Sequence, residues 1–312
     1  MILIYYETRY IAVSGISVLR GNKLKTNKTA TFVILSAFIL STLLLNTAYG
    51  VTGNFEPDST PYAGGVVLFS DAGKQQPMGY CSGFLISPTV MLTTGHSFVG
   101  VGAVSVCFDK GPIIYSIGEN GKIVYSTNEG AAAIYNGKLT AYPEYLVSLM
   151  TSTNKANQVF TSSDIGVIIL EESVSGVTVF PTLPEAGFSD SLPVKTALRV
   201  IGYGVQYQVT PKKNGVENSG VGTLSCNSAK VNLLSGNLVG SAKYLRCIAS
   251  PSQDKGGIAF GDSGGPVLYK VGGQDIVLAV NAYVSNVNCA GVTYHTRIDI
   301  PQVLGWINEF LE

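Results

Sequence analysis

The short length of its apolar runs most restricts what this chain can become. "GGVVLF" (64–69), "GFLISPTVMLTTG" (83–95), "GAVSVCF" (102–108), "DIGVIIL" (164–170), "ALRVIGYG" (197–204), "KYLRCIA" (243–249) and "QDIVLAVNAYV" (274–284) are bounded by Gly, Pro, Asn or Ser. Strands at such spacing build sandwiches or barrels, not alternating strand–helix units. Abundant Gly and only 13% charged residues agree with an all-β protein rich in turns. The 312 residues suffice for one large or two ordinary domains. Two prolines in "FPTLPEAG" (180–187) mark a divide, giving halves 51–182 and 183–312. A polar, Ala/Gly-rich stretch over roughly 110–160 reads as an extended loop region. The one good helix candidate is the C-terminal "PQVLGWINEFLE": Val303, Leu304, Ile307, Phe310 and Leu311 share a face behind Pro301. No internal repeat is visible.

Residues 1–50 read as a targeting segment. Lys23, Lys25 and Lys28 precede the apolar "TFVILSAFILSTLLL" (31–45), and Ala48 and Gly50 in "NTAYG" suit a signal-peptidase site. The run falls short of the roughly twenty residues a membrane anchor needs, although a tethered protein is the alternative. The expectation is a signal peptide with an extended n-region, touching the membrane only transiently, and a secreted product, extracellular or periplasmic. The remainder is mildly acidic, which offers no basic patch for nucleic acid. Five cysteines follow the leader, in a compartment where disulfides persist. None has zinc-site spacing, so neither a metal nor a cofactor is expected.

"FGDSGGPVLY" (260–269) sets Ser263 in a sharp glycine turn that runs into a strand. A serine there works as a nucleophile only with a base and an orienting carboxylate. The chain has two histidines, His96 and His295. His96 follows an apolar run in "MLTTGHSF", and Asp164 opens "SSDIGVIIL". Each alone reads more simply as a core histidine or a loop acid; together they supply the missing partners.

"CSGFLISPTVMLTTGHS", "DIGVIIL" and "GDSGGPV", in that order, resemble the chymotrypsin/trypsin family of serine endopeptidases from about residue 60 to the final helix. The resemblance implies two six-stranded antiparallel Greek-key β-barrels with a C-terminal helix and a site between the barrels. It implies a catalytic triad of His96, Asp164 and Ser263 acting on a protein or peptide. Ser263 attacks as His96 takes its proton, and Asp164 holds the imidazole tautomer. Gly261 and Ser263 offer their N–H groups as an oxyanion hole, with Asp262 a structural acid beneath. Gly257 and Ile258 fall at the floor of the specificity pocket, Val284 on its wall and His295 near the floor. No charge is among the first three, so small or medium uncharged side chains are expected before the cleaved bond.

Departures from the family lie in the cysteines and the N-terminus. Ser97 stands where the family has a half-cystine bonded to the equivalent of Cys81, which leaves Cys107 as the substitute partner. Cys226–Cys247 is the second expected bridge. Ala259 removes the family partner of Cys289, leaving that thiol free. "YAGGVVLF" replaces the family's activation sequence and no basic residue precedes it, which argues against activation by a freed N-terminus. A non-catalytic binding homologue of the same fold is the rival; it would be marked by loss of a triad residue. An α/β-hydrolase esterase would need the order Ser, acid, His.

Overall fold

The computed structural model describes residues 51–70, 77–111, 113–117, 123–127, 130–131, 133–151, 162–204, 223–234, 243–249, 256–285, 289 and 291–312. The expected leader, 1–50, lies outside the described residues. Twelve strands form two rings. The first contains β1 (Ala63–Phe69), β2 (Pro77–Leu85), β3 (Val90–Thr93), β4 (Ala103–Cys107), β5 (Ile134–Ala141) and β6 (Gly166–Leu170). The second contains β7 (Ala197–Gly202), β8 (Asn227–Leu233), β9 (Tyr244–Ala249), β10 (Pro266–Val271), β11 (Gln274–Val284) and β12 (Gly291–Arg297). Around the first barrel the order is β1-β2-β3-β6-β5-β4; around the second it is β7-β8-β9-β12-β11-β10, closed by the β7–β8 pairing. The two rings share one antiparallel Greek-key connectivity, so the expected all-β double barrel is the fold.

Closing a sheet leaves an interior that only alternate side chains can fill, and they are apolar here. Val66, Leu85, Met91, Val104, Val106 and Ile168 fill the first barrel; Val200, Val231, Leu245, Val267 and Leu278 fill the second. The chain ends cross over. Thr52–Gly53 pairs with Gly256–Gly257, and Phe55–Pro57 pairs with Asn227–Ala229, so the N-terminal segment lies on the second barrel. The expected C-terminal helix, α2 (Pro301–Asn308), buries Val303, Trp306 and Ile307 in the first barrel's cluster. Trp306 meets Tyr142 edge-on at 5.2 Å.

The 110–160 region is not an extended loop. It contains β5, a full barrel strand, the strands Ile113–Ile117 and Ile123–Thr127, and a second helix, α1 (Pro143–Thr151). Pro143 at the first helical position and Glu144 in the first turn suit a helix start. The apolar period misleads because Val147 and Met150 face solvent at 53% and 79% exposure, while Tyr145 is buried.

Neither expected disulfide forms: all five cysteines are free and buried. Cys81 pairs with Val66 and Cys107 with Gly65, on opposite sides of β1. Two strand spacings put them about 9.5 Å apart, beyond the roughly 7 Å that a disulfide spans. Cys226 precedes β8, whereas Cys247 pairs with Leu233 at the far end of that strand, roughly 20 Å along it. Burial pushes the Cys81 thiol up to about 11 and those of Cys107, Cys226 and Cys289 to about 12. Thiol titration in denaturant, without reductant, should therefore count five reactive groups. A count of one or three would mean that bridges form.

Candidate active site

The ends of β3 and β6 bring the first two residues together. Thr93 pairs with Gly166, so the chain leaving β3 and the chain entering β6 lie side by side. His96 sits in a single 3₁₀ turn, Gly95–Phe98, directly after β3; Asp164 comes two residues before β6. Asp164 Oδ1 accepts the His96 backbone N–H at 2.7 Å and Oδ2 meets His96 Nδ1 at 2.7 Å. The carboxylate is fully buried and the imidazole is 22% exposed. Burial opposes charge on the ring, but the Asp164 carboxylate outweighs it and raises His96 above the ordinary imidazole value. Burial likewise opposes charge on Asp164, and His96 with the donated hydrogen bonds holds its carboxyl below the usual range. Ser97, which stands where the family has a half-cystine, pairs its hydroxyl with that of Thr94 at 2.8 Å and fixes the turn.

The glycine turn comes from the other barrel. Gly261 and Gly264 both have φ +93°, a backbone that side chains resist. Space forbids substitution as well. A Cβ at Gly264 would stand 1.9 Å from the Ser82 carbonyl oxygen, and one at Gly261 would stand 2.4 Å from the Tyr80 ring. Ser82, on β2, pins the turn to the first barrel. Its N–H donates to Ser263 C=O at 2.7 Å, and its hydroxyl donates to Gly261 C=O at 2.9 Å while accepting Tyr203 N–H at 2.9 Å. Among the described residues, the N–H groups of Gly261 and Ser263 have no protein acceptor, which leaves two donors open side by side. Ser263 Oγ donates to Ala282 C=O at 3.5 Å, and the next residue, Tyr283, donates its hydroxyl to Asp164. The Tyr283 ring lies 5.5 Å from that of His96. The three expected triad residues thus converge on one seam. Ser263 is not hydrogen-bonded to His96, a contact often loose before substrate arrives.

Asp262 is the anchor under the turn. Its buried carboxylate accepts N–H groups from Ala259 at 2.6 Å, Gly204 at 2.8 Å and Val51 at 3.0 and 3.2 Å. Burial outweighs these donors and raises its carboxyl to about 7. Val51 is fully buried with φ +72°, a strained backbone for a β-branched residue. The expected pocket residues are apolar and inward. Ile258 is 2% exposed in the second barrel's cluster, Val284 packs against Ala259 and Cys289, and Gly257 pairs with Thr52. His295 lies fully buried with both ring nitrogens engaged, by Thr293 Oγ1 at 2.8 Å and Asn281 Oδ1 at 3.0 Å. Burial lowers it to about 3, so it is neutral and braces β11 and β12. Ser82, Tyr283 and Val51 carry no sequence signal as site residues; strand register brings them in. No group of His, Cys, Asp or Glu among the described residues could hold a metal ion.

The closed double barrel, with His96, Asp164 and Ser263 gathered at its seam, is the architecture of chymotrypsin-like hydrolases. The trypsin family's sequence profile matches residues 54–307, and the chain belongs to that family. Among solved structures, an HL collagenase superposes with a TM-score of 0.56 at 17% identity, covering 83% of this chain and 97% of its own, a likeness of fold. No curated protein sequence matches.

Replacing Asp262 with Ala would orphan three buried N–H donors, each costing about 1–3 kcal/mol. Denaturant unfolding should register a loss of at least about 3 kcal/mol; a loss below 1 kcal/mol would show that the turn is held elsewhere.

Proposed function

We propose that the protein is a secreted serine endopeptidase that hydrolyses peptide bonds through an acyl-enzyme. The observation that carries this reading is the His96–Asp164 pair facing a serine flanked by two open N–H donors. Ser263 Oγ attacks the peptide carbonyl as His96 Nε2 takes its proton, and the oxyanion forms against the N–H groups of Gly261 and Ser263. His96 then gives that proton to the leaving amine, and the C–N bond breaks. Water, deprotonated by His96, releases the acid and restores the hydroxyl. The retained triad and donors favour this reading over a non-catalytic binding homologue. Gly257, Ile258 and Val284 supply no charge to pair a buried cation, which would be costly to leave alone, so the reading includes preference for small or medium uncharged side chains before the cut. Ser263→Ala should abolish turnover of a peptide library and labelling by a serine-directed phosphonate, leaving the unfolding midpoint little changed. Activity retained in that variant would end the proposal.

The same reading places the mature N-terminus at Val51. Cleavage after Gly50 would turn the Val51 N–H into an ammonium group beside the Asp262 carboxylate, and would remove the strained φ, which a terminal residue lacks. On this reading activation by a freed N-terminus does not need the family's usual flanking sequence; what supports it is the Val51 N–H already resting on the Asp262 carboxylate. A sign change follows. In the uncleaved chain, Asp262 titrates near 7 when folded and near 3.8 when unfolded. The folded state then binds its proton more tightly, so this group's stabilisation is present below pH 4 and lost as pH rises through 7. An ammonium at Val51 holds the carboxyl low, and the contribution then grows above pH 4. Urea midpoints of Ser263→Ala protein, with and without residues ahead of Val51, should diverge between pH 4.5 and 7.5, the shorter chain gaining. Parallel pH curves would refute the pairing.

A further inference from the structure

The carboxylate that orients His96 is itself gripped from the opposite barrel. Asp164 Oδ1 is taken by the His96 N–H, whereas Oδ2 receives both His96 Nδ1 and the Tyr283 hydroxyl. Tyr283 reaches it through a β-bulge: the β11–β12 register shifts between Asn281 and Tyr283. Along a regular strand, residues 281 and 283 would share a face. Asn281 points into its own barrel, donating to Ile201 C=O at 2.9 Å and contacting His295. The extra residue, Ala282, frees Tyr283 to face the first barrel, the kind of re-aiming that bulges provide beside active sites. Its ring is fixed at 5.5 Å from His96 and 6.0 Å from Tyr244, whose hydroxyl is anchored on Ser162 C=O at 2.9 Å.

We propose that Tyr283 is a positioning residue of the triad, a donor from the second barrel that fixes the Asp164 carboxylate across the seam and with it the plane of His96; this rests on the catalytic reading above. The chemistry rests on Ser263, His96 and Asp164, but neither His96 nor Asp164 can hold the first barrel in register with a serine carried by the second. Tyr283 touches Asp164 directly, and its neighbour Ala282 touches Ser263, so one bulge sets the distance between the two halves of the triad. The hydroxyl also draws charge from Oδ2, which weakens that oxygen as a partner for the imidazolium. His96 therefore loses its proton at a lower pH than it would beside an undonated carboxylate. The ionisable side chains facing the pair are Tyr145 from α1, Tyr244 from β9 and Tyr283 itself, with the Glu144–Lys243 ion pair beyond Ser163. Burial keeps Tyr244 and Tyr283 neutral where His96 titrates.

The test is Tyr283→Phe, which keeps the ring and removes the donor. The chain has only two histidines, and His295 titrates near 3, so NMR of Ser263→Ala protein above pH 5 follows a single imidazole. The donor's loss should raise the His96 midpoint by roughly half to one unit, since a hydrogen bond to a charged group is removed. In the unblocked enzyme the acid limb of kcat/KM should rise equally, and kcat at pH 7 should fall about tenfold with KM changed less than about twofold. An unmoved imidazole midpoint would overturn the proposal. A moved midpoint in a protein that cleaves nothing would uphold the Tyr283 contact and sink the protease reading instead. Should the variant not fold, the unsubstituted protein decides: the Tyr283 hydroxyl proton must be exchange-protected and show a nuclear Overhauser contact to the His96 ring, and its absence would overturn the proposal.

Discussion

One buried carboxylate underlies the site. The turn from Ile258 to Gly265 has to present two backbone donors with nothing to bind, an arrangement that folding opposes because unpaired N–H groups are costly. Asp262 offsets that cost by gathering the N–H groups of Ala259, Gly204 and Val51 on the opposite side of the turn. Ser82 completes the clamp from the first barrel, and the positive φ of Gly261 and Gly264 lets the backbone follow the path these bonds dictate. Without the acid below, the donors above would have no fixed direction.

Two rings of identical connectivity meet at this clamp, and the seam between them combines an apolar cluster with directional hydrogen bonds. Tyr203 donates to Ala63 C=O at 3.0 Å, and Tyr62 donates its hydroxyl to Asp275 at 2.9 Å. Lys110 Nζ donates to the Tyr203 hydroxyl at 3.3 Å. Tyr244, from β9, donates its hydroxyl to Ser162 C=O at 2.9 Å. Bonds of this kind add little net stability, but they are directional, so they fix the rotation of one barrel on the other. The proposed catalysis needs that fixed rotation, because His96 and Asp164 come from one ring and Ser263 from the other.

The cysteines illustrate how register overrides proximity in sequence. Cys81 and Cys107 lie on consecutive predicted strands, yet β1 runs between them. Cys226 and Cys247 flank a real antiparallel pair but at opposite ends of β8. The identical ring order of the two barrels is equally silent in the sequence, since connectivity repeats while side chains need only alternate.

What the sequence by itself determined is local: turns and the residues that cannot be replaced in them. "GDSGGP" specifies a backbone of positive φ and close approach, "TTGHS" and "DIGV" specify two strand ends, and the apolar runs specify an all-β interior. Those features need only nearest neighbours, so they are written in consecutive residues. The tertiary structure alone decided which distant residues meet. It turned 134–141 into a barrel strand and 143–151 into a helix with exposed Val147 and Met150. It buried His295 between Thr293 and Asn281, brought Val51 to Asp262, and aimed Tyr283 at Asp164. Each of those depends on strand register and ring closure, and a shift of one residue along a strand reverses which face a side chain occupies.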